Sequence, residues 1–263
     1  MTTTPNESDA HLAGQELPPS ANPFVASLSL APLVDLPALL KDPRLEEEGL
    51  LALLARPDLP GTILDEIARR RDWLQSYAVK RAIVFHANAP RPAMSRLLRD
   101  IYLMDLVKLA NAPATPADIR RAAEEQLNLE LPQLPLGQKI ALARQASARV
   151  LGALLIEGNR KVVPPVLQNP RLTEAQLLKT LAREKLGAAV VPAIARDARW
   201  SARPTVRLAL LRHPQLPLET AVPFLAHLSS LELRTLASQP NLSSSLRRHV
   251  AHEIPRHPGA ARD

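Results

Sequence analysis

DPRLEEEGLLALLARPDLPGTILDEIARRRDWLQSYAVKRAIVFHANAP, residues 42–90, recurs in altered letters as NPRLTEAQLLKTLAREKLGAAVVPAIARDARWSARPTVRLALLRHPQLP, residues 169–217. The two align without a gap and stay in register to about Leu127 and Ile254. Identical pairs include Pro43/Pro170, Leu50/Leu177, Leu54/Leu181, Arg56/Arg183, Ile67/Ile194, Arg69/Arg196, Trp73/Trp200, Val79/Val206, His86/His213, Leu106/Leu233 and Pro113/Pro240. A common register over some 85 residues identifies an internal duplication. Self-similarity at a fixed spacing is the mark of repeat architectures.

Each half holds a shorter unit. VKRAIVFHANAP from Val79, LVKLANAPATP from Leu106, VVPPVLQNPRLT from Val162, VRLALLRHPQLP from Val206 and LRTLASQPNLS from Leu233 share one form. An apolar helical run ends at His, Asn, Ala or Gln, a proline usually follows within two residues, and Pro, Ser or Thr opens the next helix. Proline disfavours helical backbone at the residue before it, yet it fits the first turn of the helix it begins. Two such units in each half lie roughly 27 residues apart, within the range of helical solenoids. Thr173, three residues before Gln176, reads as a capping box. Leu172, Leu177, Leu178 and Leu181 fall on one helical face, as do Val190, Val191, Ile194 and Ala195, and as do Leu208 with Leu211 and Leu225 with Leu228. Each such face is too small to bury itself and must stack on a neighbour.

Composition agrees. Aromatics make up 3% of the 263 residues, while the helix formers Ala, Leu and Arg abound. Twenty-six prolines in a helix-rich chain require many short helices, because proline inside a helix costs about 3 kcal/mol. With no cysteine, disulfides, thiolate metal sites, iron–sulfur clusters and cysteine nucleophiles are excluded. MTTTPNESDAH lacks the basic and apolar segments of a signal peptide, and no apolar run approaches the ~18 residues of a membrane span. A cytoplasmic protein is the expectation.

VRLALLRHPQLPLETAVPFLA, residues 206–226, resembles the leucine-rich-repeat variant, whose units run from Val-Arg through apolar positions to Asn-Pro and then Leu-Ala. The copy LRTLASQPNLS matches that pattern less well. More broadly, residues 40–254 resemble the HEAT and armadillo class. The resemblance implies an all-α, right-handed α-solenoid, internally duplicated, used for macromolecular binding. The iron–sulfur cluster of one variant-repeat protein has no counterpart in a chain without cysteine. The expected organisation is a disordered tail over 1–21, a first helical-repeat half over 22–128, an irregular connecting helical unit over 129–168, a second half over 169–254 and a disordered tail over 255–263.

The residues that could carry chemistry or binding are few. Gly-x-Ser-x-Gly elbows and glycine-rich phosphate loops are absent from a chain with eight glycines. His249, His252, His257 and Glu253 cluster near the end, but their spacing is not that of a helical zinc motif. His86 and His213 read either as paired ligands or a pH switch, or as caps on helix C-terminal carbonyls. Trp73 and Trp200 read either as stacking platforms or as fillers of a helix junction. Glu46, Glu47 and Glu48 suit the first turn of a helix, and Glu124 and Glu125 are placed to pair with Arg120 and Arg121. Basic residues recur between the halves: Arg44/Arg171, Arg56/Arg183, Arg69/Arg196, Lys80/Arg207, Arg120/Arg247 and Arg121/Arg248. They form either a stripe that follows a phosphate backbone or a set of clamps on neighbouring carbonyls and carboxylates.

The candidate binding surface is therefore Lys80, Arg81, His86, Arg120, Arg121, Arg207, Arg212, His213, Arg247 and Arg248. The expected function is that of a non-enzymatic scaffold for a protein partner, with exposed apolar positions near Leu208 to His213 and near Arg81 to His86. The net charge of +7 and pI near 10.2 keep an anionic partner, nucleic acid or acidic protein, as the alternative. A helical-repeat enzyme that excises alkylated bases with Trp73 or Trp200 and Asp72 or Asp197 is a third reading. No cofactor or metal is expected.

Overall fold

The computed structural model describes residues 22–239 and 242–254. The tails expected over 1–21 and 255–263, with His257, lie outside the described residues, as does Pro240 of the Pro113/Pro240 pair. Among the described residues all regular structure is helical, with no strand. No helix there is long and apolar enough to cross a membrane.

Contacts divide the chain into two compact units, Met1–Gln126 and Leu127–Asp263. The first holds α1 (Pro23–Leu30), α2 (Leu36–Leu39), α3 (Glu47–Leu54), α4 (Gly61–Ile67), α5 (Tyr77–Phe85), α6 (Arg91–Leu97) and α7 (Leu103–Asn111). The boundary falls within α8 (Ala117–Glu130). The second holds α9 (Leu136–Gln145), α10 (Ala148–Glu157), α11 (Val163–Gln168), α12 (Glu174–Leu181), α13 (Val190–Arg196) and the one-turn α14 (Ala198–Ser201). It continues with α15 (Pro204–Arg212), α16 (Leu218–Leu225), α17 (Ser230–Ala237) and α18 (Ser244–Glu253).

Proline and small polar residues set these lengths. Pro23, Pro37, Pro92, Pro164 and Pro204 occupy the first two positions of α1, α2, α6, α11 and α15. There the missing N–H costs nothing. Asn22 caps α1 as well, and Ser76, Thr173, Asp197, Ser229 and Ser243 cap other helices with side-chain oxygens. Thr173 accepts from the Gln176 N–H as a simple cap; the reciprocal capping box lies instead at Ser229 and Glu232. Pro223 stands inside α16, against the general rule.

The duplication is visible element by element. α3 and α12 match at both ends with a shift of 127 residues, and so do α5 and α15. The core follows: Leu50, Leu54, Ile67 and Val79 are buried, and so are Leu177, Leu181, Ile194 and Val206. The duplication also reaches further back than the letters show. α10 and α11 lie at the positions of α1 and α2 under the same shift, within the stretch 129–168 that reads in sequence as an irregular connection. α1 packs on α3 as α10 packs on α12.

Within each unit, helices pack in rows. α1, α3 and α5 are stacked in the first. In the second, α10, α12 and α15 form one row and α9, α11 and α13 another, with α16 and α17 both against α18. Leu211, Ala221, Leu225, Leu228, Leu233, Leu236, Leu242, Leu246 and Val250 make the core at the end of this unit.

One junction differs between the copies for a legible reason. Asp197 accepts from the N–H groups of Arg199 and Trp200, and this winds α14. The position 127 earlier is Arg70, which cannot accept, and the chain there makes only a short 3-10 turn, Trp73–Gln75. Trp200 is fully buried and its Nε1–H donates to the Leu167 carbonyl at 3.0 Å. In the first copy the matching carbonyl, Leu40, receives the Arg70 guanidinium at 2.7 Å instead. Trp73 is left half-buried beneath that guanidinium, 4.3 Å from ring centre.

Candidate binding surface

The recurring histidines are structural clamps. His86 Nε2–H donates to the Arg56 carbonyl just past α3, and His213 Nε2–H donates to the Arg183 carbonyl just past α12, both at 2.8 Å. Each Nδ1 accepts a backbone N–H, from Asn88 and from Gln215, which sets the tautomer. The side chains two residues on complete the clamp. Asn88 donates to the carbonyls of Pro57 and Leu59, and Gln215 both donates to and accepts from the Leu186 backbone. The carbonyls that are capped belong to the neighbouring helix, about 30 residues earlier, rather than to the helix that carries the histidine.

A second stitch also recurs. Glu47 accepts from the Ser76 hydroxyl at 2.6 Å. Glu174, at the matching position, accepts from Arg203 and from the Thr205 hydroxyl, and these bonds hold its carboxyl below the ordinary range.

Most of the repeated basic residues are occupied within the fold. Lys80 pairs with Asp100 at 3.0 Å, and Arg81 with Asp105 at 3.1 Å. Arg120 donates to the carbonyls of Pro113 and Thr115, where sequence spacing points to Glu124 and Glu125. Arg207 donates to the carbonyls of Ser201 and Ala202, and Arg247 to that of Gln239. Arg121, Arg212 and Arg248 are exposed. The apolar positions expected open near Leu208–His213 and Arg81–His86 are not: Leu210, Leu211, Ile83 and Val84 are buried, and Leu208 packs on the core. In the second copy the exposed Arg212 marks the solvent side, and Leu210 and Leu211 face inward.

Asp105 gathers three donors, Tyr77 Oη, Arg81 and Lys108, around a nearly buried carboxylate. Burial works to raise its pKa, but Lys108, Tyr77 and Arg81 outweigh it and hold the group below the ordinary range. Burial and the same carboxylate push Tyr77 up to about 12. The Tyr77 ring stacks on Tyr102 with centroids 3.6 Å apart. Among the described residues no cluster of His, Asp and Glu could hold a metal ion. His249 Nδ1 meets the Ser245 carbonyl, and His252 lies 3.9 Å from Glu253.

One open site lies in the second unit. A cleft of about 660 Å³ is lined by Gly158, Arg160, Pro164, Ala188, Ala189, Pro192, Ala193 and Arg196. Gly158, at φ +72°, closes α10, and any Cβ there would fall 2.6 Å from the Gly187 Cα, so the two turns touch backbone to backbone. Arg160 and Arg196 are exposed and have no hydrogen bond or ion pair among the described residues. The first copy differs at these positions. Arg69, the counterpart of Arg196, pairs with Asp65, which also meets Arg96, and Arg70 pairs with Glu66. The second copy has Pro192 and Ala193 in place of those acids, and Arg160 in place of Leu33. Reading the copies against each other for lost acids, rather than for shared bases, picks out Arg196 from sequence, together with Arg171 and Arg183, which do not line the cleft.

No protein-family model, curated protein or solved structure matches the chain.

Proposed function

We propose that the chain is a right-handed α-solenoid of the HEAT and armadillo kind and a non-enzymatic, cytoplasmic scaffold that binds a protein partner. Two features support the solenoid reading: rows of stacked helices within each unit, and side-chain bonds that join residues 28 to 33 apart. A stack held by such short-range stitches is stiff and offers a long surface for one macromolecule.

The observation that carries the scaffold reading over nucleic-acid binding is the fate of the repeated bases. A stripe that follows a phosphate backbone needs free cations in a row. Of the repeated bases, Lys80, Arg120, Arg207 and Arg247 instead hold carboxylates and carbonyls of their own chain, as does the unrepeated Arg81. Of the residues of the base-excision reading, Trp200 is sealed in the core and Asp197 caps α14 while accepting from Gln168, whereas Trp73 is half-buried and Asp72 exposed.

The test is affinity purification of the tagged chain from its native cells at two salt concentrations, with and without nuclease. The scaffold reading expects the same protein partner in all four samples. Loss of every partner on nuclease treatment, with steep salt-dependent binding of the pure chain to oligonucleotides, contradicts it.

A further inference from the structure

We infer that the cleft between Arg160 and Arg196 receives a short acidic segment of a protein partner, with a small apolar side chain seated on its floor. The inference rests on the scaffold reading and names the chemistry of its partner. Three of the arginine positions common to both copies have lost their acids in the second. In the first, Arg44 pairs with Asp42, Arg56 with Asp58 and Arg69 with Asp65. In the second, those acids are replaced by Asn169, Lys185 and Pro192, and the side chains of Arg171, Arg183 and Arg196 have no hydrogen bond or ion pair among the described residues. At Arg196 the loss coincides with a cavity and with a second unpaired guanidinium, Arg160.

The lining selects the ligand. No residue of the cleft is acidic, so two cations face it without an internal counter-charge. Guanidinium groups bind carboxylates in bidentate fashion, and an unpaired pair at the wall of a cleft is complementary to two carboxylates of one ligand. The remaining lining is proline, alanine and glycine, which suits a small aliphatic side chain. It has no aromatic ring on which a base could stack, and two cations are too few to follow a phosphate backbone. An acidic peptide therefore fits better than a nucleic acid.

The experiment pans a displayed library of random eight-residue peptides against the full chain. It is repeated with the double variant Arg160→Glu/Arg196→Glu, with Pro192→Asp/Ala193→Glu, and with Arg171→Glu as a charge control. Far-UV circular dichroism melts confirm that each variant is folded. The expected result is enrichment of Asp and Glu among peptides selected by the unaltered chain. The best peptide should lose tenfold or more in affinity on either double variant, the range expected when hydrogen bonds to a charged group are removed. Pro192→Asp acts by restoring the first copy's internal partner for Arg196, Ala193→Glu adds a second acid to the lining where the first copy has Glu66, and Arg171→Glu leaves binding unchanged. No acidic enrichment, an equal loss with Arg171→Glu, or displacement of the peptide by an oligonucleotide at lower concentration overturns the inference. The first two outcomes leave the scaffold reading standing, because the nuclease test reads it separately.

Discussion

At the scale of single residues, the fold depends on polar groups that stitch one helix to the next. His213→Ala removes a buried imidazole and leaves the part-buried Arg183 carbonyl and Gln215 N–H without their partner. The cost is about 1–3 kcal/mol, read as a shift of the urea midpoint. His86→Ala should cost less, since His86 is only partly buried. The two tryptophans separate in the same way. Trp200→Ala empties a sealed site and orphans the Leu167 carbonyl, so a loss of about 3–5 kcal/mol is expected. Trp73→Ala, beneath Arg70 at the surface, is expected to lose well under half of that in the same melts. Asp105 gives a pH dependence. Its folded value lies below the ordinary one, so the carboxylate stabilises the fold above about pH 4, and this is lost as pH falls through the folded value. Tyr77 acts at the other end: its raised value favours folding below about pH 10, and that contribution fades as pH rises toward about 12. Melts from pH 7 down to pH 2.5 should show a smaller acid loss for Asp105→Asn than for the unaltered chain, and Tyr77→Phe should blunt the alkaline loss.

At the scale of elements, most of the architecture is legible because proline and periodicity act locally. The apolar faces read from the letters at Leu177 and Leu181, at Val190 to Ala195 and at Leu225 and Leu228 are buried faces. α10 and α11 are hidden from the alignment. Their stretch shares packing positions with α1 and α2 but few letters, and a helix row asks only for apolar side chains at the right intervals. The direction of the bases is equally hard to read. A spacing of three or four residues pairs Arg120 with Glu124, yet nearby carbonyls of the turn before α8 compete for the same guanidinium and win. The cap at α14 gives a separate check. Asp197→Ala removes the acceptor for two N–H groups and should cost about 1 kcal/mol in thermal or urea melts.

At the scale of the whole molecule, duplication explains why related letters serve different ends. The first copy neutralises Arg44, Arg56 and Arg69 with Asp42, Asp58 and Asp65, whereas the three matching arginines of the second have no side-chain partner among the described residues, one of them at a cleft. The net charge of +7 is therefore no measure of a phosphate-binding surface. It is partly an excess left where acids are missing from one copy. All of this requires that the two copies fold alike, with helices about 30 residues apart as neighbours in each. The absence of cysteine makes that directly measurable. Two double variants, Glu47→Cys/Ser76→Cys and Glu174→Cys/Arg203→Cys, can be treated with a short thiol-to-thiol crosslinker and mapped by mass spectrometry. Fast intramolecular crosslinking of both pairs, with helical content retained, is the predicted result. Crosslinking in one copy alone, or in neither, contradicts the repeat.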